Sequence, residues 1–231
     1  MFANMKTRMK VLLGTCVPLV LTAGLIAVAL WGLSGVNKTI HWVNHTHKVL
    51  SEADGIVSSA VNMETGMRGF LLAGKDEFLE PYNNGKKAFR GQVEDLQKTV
   101  SDNPPQVARL AEAQKLIDDW VANVTEPAIA FRRQVGAGKT MDDVAARVGE
   151  GKGKVYFDKF RATMKEFRDE EAGLLSVREN QATETTELTT TALIGGGGTA
   201  LLVGFLLAWI IGKGISGPID SMTRAMKRLA N

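Results

Sequence analysis

Glu64 and Arg68 stand four residues apart in the stretch ETGMRGFLLAGKDEFLEPY, residues 64–82. On a helix that spacing brings a carboxylate and a guanidinium together on one face. Two chemistries follow. The pair can fix the register of a helical bundle, or Arg68 can meet a ligand carboxylate or a partner subunit. Arg132 and Arg133 offer a second cationic pair that could bind an anion or cap exposed carboxylates. Glu170 and Glu171 read as a solvated face with Glu171 turned inward rather than as an acid/base pair. His41, His45 and His47 cluster, and His41 and His45 share a face, but no adjacent Cys or acidic residue completes a metal site. Gly138-Lys139-Thr140 has the end of a P-loop, yet Arg133 occupies the place of the required first glycine and no strand precedes it. No Ser-His-Asp or Cys-His set falls into one pocket. The expectation is a chain with no catalytic residue, metal or cofactor, not an enzyme, and without a nucleic-acid partner.

The elements that position these residues are helices. Little strand alternation occurs, and apolar residues recur at three and four. Ile40, Val43, His47, Leu50, Asp54, Val57, Val61, Glu64, Arg68 and Leu71 form a heptad-like stripe with polar interruptions. The break at Ala73-Gly74-Lys75-Asp76 suits a helix end, with Asp76 as the next N-cap. A second helix is predicted over residues 76–100, its first turns loosened by Pro81 and Gly85. Residues 101–105, SDNPP, stop it and start a third. That one carries Val107, Leu110, Ile117, Val121, Val124, Ala128, Phe131 and Val135, with a kink at Pro127. A short helix is predicted over 141–148. The fourth shows Phe157, Phe160, Met164, Phe167, Glu171 and Leu174, then turns polar and runs on without Pro or Gly.

Two apolar runs, residues 11–33 and 192–211, lack charges and match the roughly 20 residues needed to cross a bilayer. The ends outside 34–191 hold seven of the chain's 28 Lys and Arg but only one of its 25 acidic residues. The positive-inside rule then puts both ends in the cytoplasm and 34–191 outside. Trp31 and Trp209 suit interfacial anchors. A competing reading takes the first run as a signal peptide cleaved near Ala27-Val28-Ala29. Cys16 is the only cysteine, so no disulfide braces the middle. In the second run Ala192, Gly196, Ala200, Gly204, Ala208 and Gly212 recur every fourth residue, a small-residue face for close helix packing in lipid. The predicted fold is all-α: an antiparallel four-helix bundle (34–191) between transmembrane helices 11–33 and 192–211, with a cytoplasmic start (1–10) and a segment 212–231 after the second. An antiparallel register from a shared membrane edge sets Glu64 level with Arg161.

The pattern E-T-G-x-R-G-[FY]-L-L-x-G-x-x-x-[FY]-L-x-P-[FY] is matched by Glu64, Thr65, Gly66, Arg68, Gly69, Phe70, Leu71, Leu72, Gly74, Phe78, Leu79, Pro81 and Tyr82. It resembles the third class of CHASE extracellular sensor domains, over about residues 37–185. Trp120, Pro127 and the Gly-rich entry to the fourth helix agree. Residues 214–231, GISGPIDSMTRAMKRLAN, resemble the opening helix of a HAMP linker, with Pro218 at its first turn and Ile219, Met222 and Met226 on its stripe. The wording is most similar to methyl-accepting chemotaxis proteins. The resemblance implies the front part of a homodimeric receptor in the bacterial inner membrane. Its periplasmic bundle would pass a stimulus through the second span to HAMP and cytoplasmic signalling proteins. Histidine kinases and cyclic-dinucleotide enzymes also carry such parts. A rival reading is an accessory membrane protein using the bundle as an interaction module. No ligand is implied.

Overall fold

The computed structural model describes residues 6–229, with backbone alone at residues 7, 215–221, 225 and 227–229. Six helices follow in order: α1 (Thr7–Ala73), α2 (Glu80–Thr99), α3 (Pro104–Trp120), α4 (Glu126–Arg132), α5 (Met141–Gly149) and α6 (Lys152–Leu229). A 3-10 turn, Asp76–Leu79, leads into α2, and a π turn, Val121–Thr125, joins α3 to α4. Among the described residues there is no sheet; Val135 and Lys139 form an isolated bridge. Two compact units result. One is Trp42–Arg178, and the other combines Met1–His41 with Glu179–Asn231.

The unit Trp42–Arg178 is an up-down-up-down four-helix bundle, and its cross-helix contacts set the directions. Ser59 bonds Gln92, Arg90 pairs with Asp118, Gln106 bonds Glu171, and Arg168 pairs with Asp54. Each neighbouring pair of rods is therefore antiparallel. Trp120, Phe70, Phe89, Phe157, Phe160 and Phe167 are fully buried among aliphatic side chains. Burying each such ring contributes about 1.5–3 kcal/mol. Phe157 meets Trp120 and Phe160 edge to face, at centroid distances of 5.2 and 5.8 Å.

The buried face of α1 is not the predicted stripe. It is Thr46, Val49, Ala53, Ile56, Ala60, Met63, Met67 and Phe70, the same steps of three and four begun one residue earlier. His47, Asp54 and Arg68 face solvent. The residue-early stripe has no charged member, and the hydroxyl of its polar residue, Thr46, donates to the Trp42 carbonyl. Glu64 and Leu71 of the predicted stripe are still buried, at the face's edge.

Helices α1 and α2 approach where two residues have no side chain. A Cβ on Gly66 would sit 2.5 Å from the Tyr82 backbone nitrogen, and one on Gly85 2.6 Å from the Ser59 carbonyl oxygen and 2.9 Å from Met63 Cγ. Gly85 thus tightens the helix pair rather than loosening a first turn. Gly74 ends α1 with φ +69°, a conformation glycine adopts freely. Asp76 is not an N-cap; Lys75 holds that place, and Asp76 pairs with Arg133 at 2.6 Å. The predicted kink at Pro127 takes the form of a π turn. Proline lacks an N–H and its ring crowds the carbonyl four residues back. The preceding turn widens, so that the Glu126 N–H bonds to the Val121 carbonyl five residues earlier. The Thr125 hydroxyl on this turn is fully buried with no partner among the described residues.

In the other unit the ends of α1 and α6 run antiparallel. Gly32 faces Thr189, Gly35 faces Thr185, Gly14 faces Ile211, and Gly196 faces Leu25. Three of these four glycines lie on α1, whereas the predicted small-residue face lay on α6. Of that face Gly196 makes the close approach; nothing lies within 4 Å of a Cβ on Gly204, and Ala208 is exposed. Both α1 and α6 are long and apolar enough to cross a membrane, and none of their most apolar 18-residue windows is buried. Helix α6 continues unbroken through Gly217 and Pro218. The side chains of Pro218 and Ile219 lie outside the described residues; Met222 and Met226 are exposed.

Replacing Gly85 by Ala is expected to destabilise the bundle by about 1–3 kcal/mol, because the new methyl meets a carbonyl oxygen in a packed interior. Gly91→Ala on the same helix, where nothing lies within 4 Å, is expected to be neutral or stabilising. Paired chemical-denaturation curves check both.

Candidate functional site: a cationic cavity at one end of the bundle

The bundle end where α1 stops and α6 starts holds a cavity of about 240 Å³. Four separate stretches line it. Helix α1 supplies Glu64, Met67, Arg68 and Leu71, and the end of α3 with the π turn supplies Trp120, Asn123 and Val124. Ala128 of α4 adds to that side. The fourth stretch runs from Arg147 at the end of α5 to Lys154 in the first turn of α6. Four cations, Arg68, Arg147, Lys152 and Lys154, face two carboxylates, Glu64 and Glu150.

Glu64 organises one wall. It is 9% exposed, and a buried carboxylate is costly unless paired. Arg68 pairs with it at 2.7 Å, and Arg161 on α6 reaches its other oxygen at 3.4 Å. The sequence register that set Glu64 beside Arg161 therefore corresponds to a contact. Arg161 also lies over the Phe157 ring, 4.9 Å from its centroid. On the opposite wall Lys152 pairs with Glu150 at 2.7 Å. That bond, and the neighbouring charges of Lys152 and Arg147, hold the Glu150 carboxyl below its usual range.

Arg132 and Arg133, the other sequence candidates, lie outside this lining. Arg132 Nε donates to the Leu71 carbonyl at 2.8 Å, satisfying one of the free carbonyls at the end of α1. Arg133 pairs with Asp76 and lies over the Phe70 ring at 5.3 Å. Both therefore hold the turn after α1. The Gly138-Lys139-Thr140 segment supplies an N-cap: Thr140 and Asp143 form a reciprocal capping box for α5. Glu171 is buried and accepts from Gln106 Nε2 at 2.9 Å. His45 meets the Trp42 ring edge to face at 5.5 Å. Among the described residues no group of three or more His, Cys, Asp or Glu is placed to hold a metal.

A clamp steadies the α4 side of the cavity. The Tyr82 hydroxyl donates to Glu126 Oε1 at 2.7 Å, and Lys86 Nζ donates to the same oxygen at 2.9 Å. The Tyr82 and Lys86 bonds hold the Glu126 carboxyl below its ordinary value. Burial, and then Glu126 itself, push the Tyr82 hydroxyl far up. So α2 is tied to the start of α4 immediately after the π turn.

The CHASE3 domain model matches residues 39–181. The chain belongs to the CHASE3 family. Neither a curated protein nor a solved structure matches it. The match begins within one helix able to cross a membrane, Arg8–Ala73, and ends within the other, Lys152–Gly214, so this CHASE3 chain is a membrane protein with a sensor domain. Most of the signature that carried the resemblance builds the bundle end of this CHASE3 unit. Gly66 and Gly69 admit the 3-10 turn and α2, and Phe70, Leu79 and Tyr82 fill the core. Only Glu64, Arg68 and Leu71 of it line the cavity. Trp120, Asn123, Arg147, Lys152 and Lys154 were not legible as site residues; they meet only through the tertiary fold.

A carboxyl whose pKa is lower folded than unfolded adds stability above its ordinary value, here 4.5, and loses it as pH falls through the lowered one. Glu126→Gln removes that contribution. The thermal midpoint of the variant is expected to lie below wild type near neutral pH and to approach it below pH 4.5. Midpoints measured across that window check this.

Proposed function

We propose that the chain is the N-terminal part of a chemotaxis-type receptor, a homodimer in the bacterial inner membrane with both ends cytoplasmic and the CHASE3 bundle periplasmic. The bundle senses a stimulus. Helix α6 carries the response through the second span to a HAMP linker and a cytoplasmic output domain, which acts on downstream signalling proteins.

The observation that supports this best is α6 itself. It runs as one helix from Lys152, in the cavity wall, to Leu229. A helix transmits axial and rotational displacement along its length because every turn is hydrogen-bonded to the next. Between its core segment and its apolar run lies a Thr-rich stretch, residues 179–191, whose Thr183, Thr186 and Thr189 hydroxyls bond back to carbonyls four residues earlier. Such back-bonding satisfies the hydroxyls within the helix, and no residue of 179–191 is buried; only Ala182, Thr185 and Thr189 are partly covered, the last two beside Gly35 and Gly32. A lightly packed stretch shifts between two arrangements at low cost. Exposed Met222 and Met226 form the apolar edge expected of a HAMP first helix. The homodimer finds support in the unpartnered Gly204–Ala208 face and in small-residue packing in lipid.

One glycine inserted after Thr189 adds a residue to the helix and rotates all that follows by about 100°. In the receptor joined to its output domain, this variant is expected to lose stimulus dependence while keeping its membrane insertion. A signalling assay of the insertion against wild type checks it, and normal signalling would remove the lever mechanism.

A further inference from the structure

The cavity wall carries donors that nothing in the bundle answers. Trp120 is 1% exposed, and its indole N–H donates to no partner among the described residues. Its Nε1 edge opens toward Gly153, another residue of the cavity lining. Gly153 keeps that opening clear: a Cβ there would lie 3.5 Å from Trp120 Nε1 and 3.3 Å from Val124 Cγ1. The Lys152 and Gly153 backbone N–H groups begin α6 and have no acceptor among the described residues, and a helix start favours an anion.

Charge points the same way. Glu64 is answered by Arg68 and Arg161, Glu150 by Lys152, and Lys154 by Asp158. Arg147 lies over the Phe131 ring at 5.3 Å and makes no ion pair among the described residues. The lining's cations outnumber its carboxylates four to two, and Arg147 is the one with no direct salt bridge among the described residues, though its charge also acts on Glu150. Met67, Leu71 and Val148 make the rest of the wall apolar.

We propose that this cavity binds a small organic carboxylate, held by the Trp120 indole N–H, the Arg147 guanidinium and the first N–H groups of α6, with its apolar part against Met67, Leu71 and Val148. Glu64 and Glu150 on the walls disfavour a doubly charged phosphate, and the apolar wall has no use for one. The inference names a ligand class for the sensing role proposed above and depends on that role only for its cellular consequence.

The test is calorimetric titration of the full chain in lipid nanodiscs with butyrate, with the neutral butyramide and with inorganic phosphate. Butyrate is expected to bind with a Kd at or below the millimolar range, and the other two to bind at least about tenfold more weakly. Arg147→Gln is expected to weaken butyrate about tenfold or more, because a charge-assisted bond is lost. Trp120→Phe, which keeps an aromatic ring in the core, is expected to weaken it roughly three- to tenfold. Lys98→Gln, remote from the cavity, is expected to change nothing. No butyrate heat up to roughly 50 mM, equal binding of butyramide, a preference for phosphate, or wild-type affinity in Arg147→Gln would each overturn the proposal. Binding lost in Arg147→Gln together with unaltered signalling by that variant would leave the site standing and overturn the sensing role instead.

Discussion

The bundle depends on how closely α1 and α2 approach. At Gly66 and Gly85 the two backbones come near enough that a methyl group would meet a main-chain atom about an ångström inside contact distance. This approach lets the chain reverse within a few residues, places Tyr82 in the core, and delivers its hydroxyl to Glu126. The start of α4 is held in turn, and with it the arginines that close the turn after α1. A cavity between α1, the π turn and the first turn of α6 keeps its shape because each wall is fixed to another element. Glu64 is the main polar constraint on that shape, since a nearly buried carboxylate must keep its arginines.

The family signature takes on a physical meaning. Glycines at 66, 69 and 74, the aromatic residues at 70, 78 and 82, and Pro81 in the first turn of α2 describe a hairpin of helices packed at very short range. Such a motif marks the scaffold more than a ligand. The cavity's other cations, Arg147 at the end of α5 and Lys152 and Lys154 in the first turn of α6, lie outside the signature.

Much of the architecture was legible because helix ends are local. Gly74, the SDNPP stop and the short helix predicted over 141–148 each rest on signals a few residues long. The α1 stripe was misplaced by one residue because Ala53, Ala60, Met63 and Met67 carry a weaker apolar signal than the neighbouring Val and Leu, while polar Asp54 and Arg68 passed as tolerated interruptions. Gly85 read as a helix loosener because its value lies on α1, 26 residues away at Ser59. Pro127 announced a distortion but not its kind. The roles of Arg132 and Arg133 depend on contacts with Leu71 and Asp76, and the cavity on four stretches spread from residue 64 to 154. No spacing rule reaches that far.

The claim on which the functional account rests is that the bundle and the segment after the second apolar run lie on opposite sides of a membrane. Single cysteines at Lys98 and at Lys213, each in a Cys16→Ala background, would be labelled in intact cells with a membrane-impermeant maleimide. The account predicts labelling at position 98 from outside, and at position 213 only after the inner membrane is permeabilised. Labelling of both from the same side would contradict it.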